Sequence, residues 1–231
     1  MRVIFLGTPK FAVPTLESLV AGHDVISVVT QPDRPRGRGR QLTASPVKEA
    51  ALRHVLPIYQ PERIRRPEAV AALAALAPDA MVVVGYGQII PQSIIDIPPH
   101  GIINVHASLL PKYRGAGPVQ WAIANGETRT GVTTMRIDAG LDTGDMLLKA
   151  ETEIGPQETA VELGERLAVM GAALLVETLA NIAARRAPNS TAVSSGPISV
   201  SAFSSMSPVS SPASMRMSVT PVSVSALAIA H

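Results

Sequence analysis

The segment Ala80-Met81-Val82-Val83-Val84 is an unbroken apolar run, and it constrains the fold more than any other feature. A strand with one wet face alternates apolar and polar side chains. A run without a polar position needs cover on both faces, as in a parallel sheet flanked by helices. Arg2–Gly7 and Asp24–Thr30 read as two more apolar strands, and Leu56–Tyr59 as a short one. Between them the apolar spacing becomes helical. Phe11, Leu16, Leu19 and Val20 predict a helix over Phe11–Ala21, closed by Gly22. Ser45 before Pro46 predicts a capped helix running to about Val55. Pro67–Leu76 and Gln88–Ile95 read as helices, and Gln31–Leu42 as a Pro-, Gly- and Arg-rich loop. Further on, Gly101–His106, Gly131–Ile137 and Asp145–Glu151 read as strands, Pro118–Asn125 and Thr159–Arg186 as helices. The alternation predicts an α/β fold, a doubly wound, mostly parallel sheet of Rossmann-like form with a mixed-direction edge.

The 231 residues are 46% hydrophobic, enough for a packed core, but only 3% aromatic, so Ala, Val, Leu and Ile must build it. Cysteine is absent, which excludes disulfides, a thiolate nucleophile and Cys-ligated metal. A net charge of +2 is too balanced to argue for nucleic acid by itself. The apolar N-terminus lacks a small-residue cleavage site and reads as a buried strand. No apolar run reaches the roughly 18–20 residues of a spanning helix, so the expected location is the cytoplasm, away from membranes. Composition breaks near residue 186. From Ala187 to His231 only Arg216 is charged, and 14 residues are Ser. We expect a domain over 1–186 and a low-complexity, disordered tail over 187–231. Two readings of the tail stand: a mobile terminus, or a foreign segment from a shifted frame in place of a second domain.

Ligands in doubly wound sheets sit outside the carboxyl ends of the strands, at the switch in strand order. The positions to inspect therefore follow Leu6, Val29, Val84 and Val105. Asn104 and His106 are two apart, so they share one face of their strand. The Gly-flanked turn Asp138–Asp145 can return a carboxylate to the same place. Asn, His and Asp suit acyl transfer: an amide donates to a developing oxyanion, an imidazole moves a proton, and a carboxylate orients the imidazole. Taken singly, each is equally a structural residue: a strand-end histidine, a turn-forming aspartate, a local hydrogen bonder. Gly7-Thr8-Pro9 is too short for a nucleotide fingerprint, and Arg63, Arg65 and Arg66 read as a solvent face.

The full string Ile103-Asn104-Val105-His106-Ala107-Ser108-Leu109-Leu110-Pro111-Lys112-Tyr113-Arg114-Gly115 closely resembles the hallmark of folate-dependent formyltransferases. Thr130–Met135 with Leu141–Met146 resembles a second hallmark. Leu6-Gly7-Thr8-Pro9 with Phe11-Ala12, and Thr30–Pro35 leading to Gly37-Arg38-Gly39, resemble the methionyl-tRNA formyltransferase branch. The likeness covers residues 1 to about 185 and stops at the tail.

The resemblance implies the formyltransferase fold and formyl transfer from 10-formyltetrahydrofolate to the methionyl amino group of initiator methionyl-tRNA, for translation initiation. It implies no metal and no obligate protein partner. Asn104, His106 and Asp142 would be catalytic. Ser108, Leu109, Leu110, Pro111, Tyr86, Gly87 and Asp138 would line the folate pocket. Arg34, Arg36, Arg38 and Arg40 would meet tRNA, Arg38 matching the loop's principal arginine. The family usually carries a β-barrel domain after the long helix; here we expect the Ser-rich tail in its place. Two other readings stand beside this one: a formyltransferase for an amino sugar nucleotide or other small amine, and a catalytically silent folate-binding fragment.

Overall fold

Seven strands make one sheet in the order β5-β2-β1-β6-β7-β8-β9. The structure is a computed structural model and describes residues 1–36 and 41–185. The expected tail, and Gly37–Arg40 of the Arg-rich segment, lie outside the described residues. In chain order the elements are β1 (Arg2–Gly7), α1 (Val13–Gly22), β2 (Asp24–Val29), β3 (Arg34–Arg36), β4 (Gln41–Thr43), α2 (Pro46–Arg53), β5 (Ile58–Tyr59) and α3 (Pro67–Ala75). Then follow β6 (Ala80–Val84), α4 (Gln92–Ile95), β7 (Ile102–His106), α5 (Pro118–Ala124), β8 (Arg129–Arg136), β9 (Met146–Glu153) and α6 (Ala160–Arg185). Strands β5, β2, β1, β6 and β7 are parallel; β8 pairs antiparallel with β7, and β9 antiparallel with β8. This is the doubly wound sheet with a mixed edge that the alternation predicts. The order reverses between β1 and β6, which puts the switch point after Gly7 and Val84.

Period-two alternation sorts each central strand between two cores. Val3 and Phe5 of β1, Val82 and Val84 of β6, and Ile103 and Val105 of β7 join α1, α2 and α6 on one side. Ile4, Leu6, Met81, Val83 and Ile102 join Leu73 of α3 and Ile94 of α4 on the other. All five residues of β6 are buried. Helix α2 starts as its sequence predicts: Ser45 Oγ accepts from Lys48 N at 3.0 Å, and Pro46 occupies the first turn.

Three stretches differ from the sequence reading. The expected loop Gln31–Leu42 contains most of an antiparallel pair, β3 with β4, in which Arg34 stands opposite Thr43 and Arg36 opposite Gln41. The pairing is three residues long and uses backbone groups, so Gly and Pro content conceals it. The helix expected over Gln88–Ile95 is only Gln92–Ile95, because Gly87 sits at φ +87° and Pro91 caps the start. Thirdly, Ala160–Ala184 of α6 is long and apolar enough to cross a membrane by length and composition. Burial of Leu163, Leu167, Leu175 and Leu179 against the sheet makes it a core helix instead. Gly171 permits this close seat, since a Cβ there would stand 2.7 Å from Val105 Cγ1. Arg63, Arg65 and Arg66 are exposed, as expected. Strand β9 forms one margin of the sheet, and its Lys149, Glu151 and Glu153 are exposed.

Candidate active site

Asn104 and His106 extend the face of β7 that begins with buried Ile102, and reach the carboxyl end of the sheet. The turn between β8 and β9 brings Asp142 back to them. Asn104 Nδ2 donates to Asp142 Oδ1 at 3.3 Å, and His106 Nδ1 stands 3.5 Å from Asp142 Oδ2. Gly115 N donates to the same Oδ2 at 2.8 Å. The side chains of His106 and Asp142 are 7% and 15% exposed, so their interaction is shielded from bulk water. On the far side of the ring, Nε2 meets the Tyr113 carbonyl oxygen at 2.8 Å. A carbonyl only accepts, so Nε2 carries a proton and Nδ1 is the nitrogen turned to Asp142.

This geometry uses two unusual backbone conformations. Asp142 has φ +49° and Tyr113 φ +56°, left-handed values that cost a non-glycine residue about 1–2 kcal/mol. At Asp142 the hydrogen bonds from Gly115 and Asn104 offset that cost.

Asn104, His106 and Asp142 all line one cavity of about 1180 Å³. Its walls come from the loop after β6 (Gly85–Ile90), the turn 138–142, the start of α5 and small residues of α6. This is the switch point, the place the topology selects. Of the expected pocket residues, Tyr86, Gly87 and Asp138 line it. The Tyr86 ring nonetheless packs in the second core, where burial pushes its phenol well above the usual value. The Tyr86 carbonyl accepts from Thr8 Oγ1 and Gln31 Nε2.

Ser108, Leu109, Leu110 and Pro111 do not line the cavity. After His106 the chain turns over β8 instead. Ser108 is fully buried, with its carbonyl accepting from Thr133 Oγ1 at 2.7 Å and its hydroxyl donating to Lys112 O at 2.6 Å. Leu110 N donates to Thr133 Oγ1, and Leu110 O accepts from Lys149 Nζ. Pro111 is exposed. Ser108 and Leu110 are the footing of the loop that carries Tyr113.

The four arginines expected at tRNA divide. Arg34 is exposed and paired with Glu62 at 2.7 Å, and the Arg36 backbone is in β3. Arg38 and Arg40 lie outside the described residues. The hairpin base is tied down by Asp33, which accepts from Lys48 Nζ and from Gln60 Nε2. Those two donors hold its carboxyl below the usual range.

Residues 1–179 match the family described as formyl transferase. The chain belongs to the formyl transferase family. Within it, the chain is 72% identical over 185 residues to methionyl-tRNA formyltransferase of Solibacter usitatus, covering 80% of this chain and 60% of that protein. It is 66% identical over 184 residues to methionyl-tRNA formyltransferase of Koribacter versatilis, covering 79% and 59%. The chain thus spans about 60% of the length of these relatives. Among solved structures, phosphoribosylglycinamide formyltransferase from Bacillus halodurans shares the formyl transferase fold. It has a TM-score of 0.66 at 23% identity, over 79% of this chain and 95% of that one.

Sequence reasoning missed part of the site. Ile89 and Ile90 are cavity wall where a helix is predicted. Ala160, Gly164 and Ala168 line the cavity from α6, and their four-residue spacing of small side chains was the available signal. Tyr113 falls within the hallmark string, but nothing there marks its left-handed backbone or its carbonyl on His106.

Proposed function

We propose that this chain carries the catalytic domain of a methionyl-tRNA formyltransferase. It transfers the formyl group of 10-formyltetrahydrofolate to the α-amino group of methionine on initiator methionyl-tRNA, in the cytoplasm. The reading rests on one observation: Asn104, His106 and Asp142 converge on a single large cavity in a chain 72% identical to a protein of that name.

The residues present suit a folate. The cavity is walled by apolar side chains such as Phe11, Ile89, Ile137 and Leu141, and by loop backbone at 85–90 and 138–142 that can read a heterocycle edge. The folate supplies the formyl group as an activated amide. Asn104 donates its amide proton to the formyl oxygen as negative charge develops there. His106 takes the proton that the amine sheds and delivers it toward the leaving nitrogen. Asp142 aligns both groups through the contacts it already makes with them. The Arg-rich segment 34–40 supplies guanidiniums for phosphates of the acceptor end.

A formylation assay on the whole chain tests the reading, with charged initiator methionyl-tRNA against free methionine and small amines. Formyl transfer to the tRNA at enzymatic rates supports it. Transfer only to small amines, or to nothing, refutes it.

A further inference from the structure

The loop Lys112–Gly115 touches both ends of the candidate catalytic pair. Tyr113 O meets His106 Nε2 and Gly115 N meets Asp142 Oδ2, each at 2.8 Å. A left-handed Tyr113 needs something to hold it there. The holder lies in the segment just after α5. Tyr113 Oη donates to Glu127 Oε1 at 2.7 Å and accepts from Asn125 Nδ2 at 3.0 Å. Lys112 Nζ donates to both Glu127 oxygens, at 2.9 and 3.1 Å. Ser108 Oγ fixes the Lys112 carbonyl. Lys112, Tyr113, Asn125 and Glu127 are all absent from the cavity lining, so this cluster meets the candidate catalytic pair through the loop's main chain, at Tyr113 O and Gly115 N.

We propose that Glu127 and Tyr113 form a positioning clamp for His106, holding its Nε2 proton on the Tyr113 carbonyl so that Nδ1 is the atom that exchanges protons during transfer. Glu127 is a positioning residue and touches no substrate. The proposal rests on the formyl-transfer reading and adds the identity of the working nitrogen. As the bond from amine nitrogen to formyl carbon forms, the amine proton passes to Nδ1. The same proton goes to the folate nitrogen as its bond to the formyl carbon breaks. The ring ends neutral, with its Nε2 proton never moved. A ring free to rotate or to change tautomer would present Nδ1 only part of the time.

The test uses the full chain labelled with ¹⁵N-histidine, with His106→Gln supplying the blank spectrum. The wild-type protein should show a slowly exchanging His106 Nε2 proton. Glu127→Ala should speed its exchange by about tenfold or more. The same variant should lower kcat by about 10–100-fold with the folate KM changed less than about twofold. Tyr113→Phe, which keeps the ring and loses the hydroxyl, should behave alike and covers the case in which Glu127→Ala misfolds. Glu127→Gln keeps an acceptor for Tyr113 Oη and should hold kcat within about threefold of wild type. Unchanged exchange of the His106 proton in Glu127→Ala and Tyr113→Phe would overturn the clamp. So would a Glu127→Gln variant as impaired as Glu127→Ala, which would assign the effect to the surface charge. If the chain formylates no acceptor, the formyl-transfer reading fails, while the exchange measurement still decides whether the clamp exists.

Discussion

Replacing Asp142 by asparagine separates the carboxylate's chemistry from its structural duty. Asparagine has the same shape and accepts left-handed φ values, so the +49° backbone survives. Its side-chain oxygen can still accept from Gly115 N, but as a neutral group. A hydrogen bond to a charged group is worth about 1.5–3 kcal/mol and a neutral one about half that, so the loss is about 1 kcal/mol. For a domain of this size that lowers Tm by about 2–4 °C. The catalytic loss is larger. With the oxygen kept on Gly115 N, the new NH2 takes the place of Oδ1 and faces the Asn104 Nδ2 donor, so Asn104 loses the acceptor that aligns it. Misplacing a group that stabilises the developing oxyanion should lower kcat about 100–1000-fold. Asp142→Ala should cost a further 1 kcal/mol or so, because alanine tolerates the left-handed region poorly. The assay pairs thermal denaturation with steady-state formyl transfer at saturating folate. An Asp142→Asn enzyme that keeps more than about a tenth of wild-type kcat would refute the assigned role.

Other outcomes follow from particular contacts. Gly131→Ala would put a Cβ 2.0 Å from Ala150 O and 2.7 Å from Leu109 Cδ2, so the β8–β9 pairing must shift. We expect a stability loss of about 3 kcal/mol, seen as a Tm fall of about 6–12 °C; a fall under 2 °C would count against the close approach. Arg38→Ala should raise the KM for charged tRNA well above any change for folate, and flatten the dependence of log KM on log salt by about one phosphate contact. Equal effects on both substrates would sink the assignment of Arg38 to tRNA. Glu158 is held below the usual glutamate value of 4.5 by hydrogen bonds from Arg166 and from Gly155 N. The unfolded chain therefore binds its proton more readily, so the stabilisation is full above that value and is lost as pH falls through the lowered native one. Melting curves of Glu158→Gln should show a shallower acid limb below about pH 4.5; an identical limb would refute the linkage.

Much of the fold is legible because burial writes itself into apolar runs. Met81–Val84 and Val3–Leu6 have no polar position, and two-sided cover is their only solution. Asn104 and His106 are legible for the same reason: a polar pair closing an apolar strand points to the end of a sheet. The β3–β4 hairpin is not, because three backbone pairings need no side-chain pattern. Nor is the wall at Ile89 and Ile90, which mimic a helix face until Gly87 and Pro91 fix the backbone otherwise. Ser108, Leu109, Leu110 and Pro111 are expected at the folate from the family resemblance alone, and no local pattern shows that Ser108 and Leu110 bond to Thr133. The role of Glu127 depends on a contact 14 residues away in sequence, which no local pattern encodes.

The outer margin of β9 has a consequence for how this molecule meets others. A strand with an open side offers backbone amides and carbonyls to any passing strand. Here that margin displays two glutamates, one bound sideways to Arg129 at 2.9 Å, and a lysine whose ammonium is tied to the Leu110 carbonyl. An incoming strand must strip water from those ions before it gains a single ladder bond. Among the described residues the sheet therefore ends on a charged margin, which raises the desolvation cost of adding another strand there.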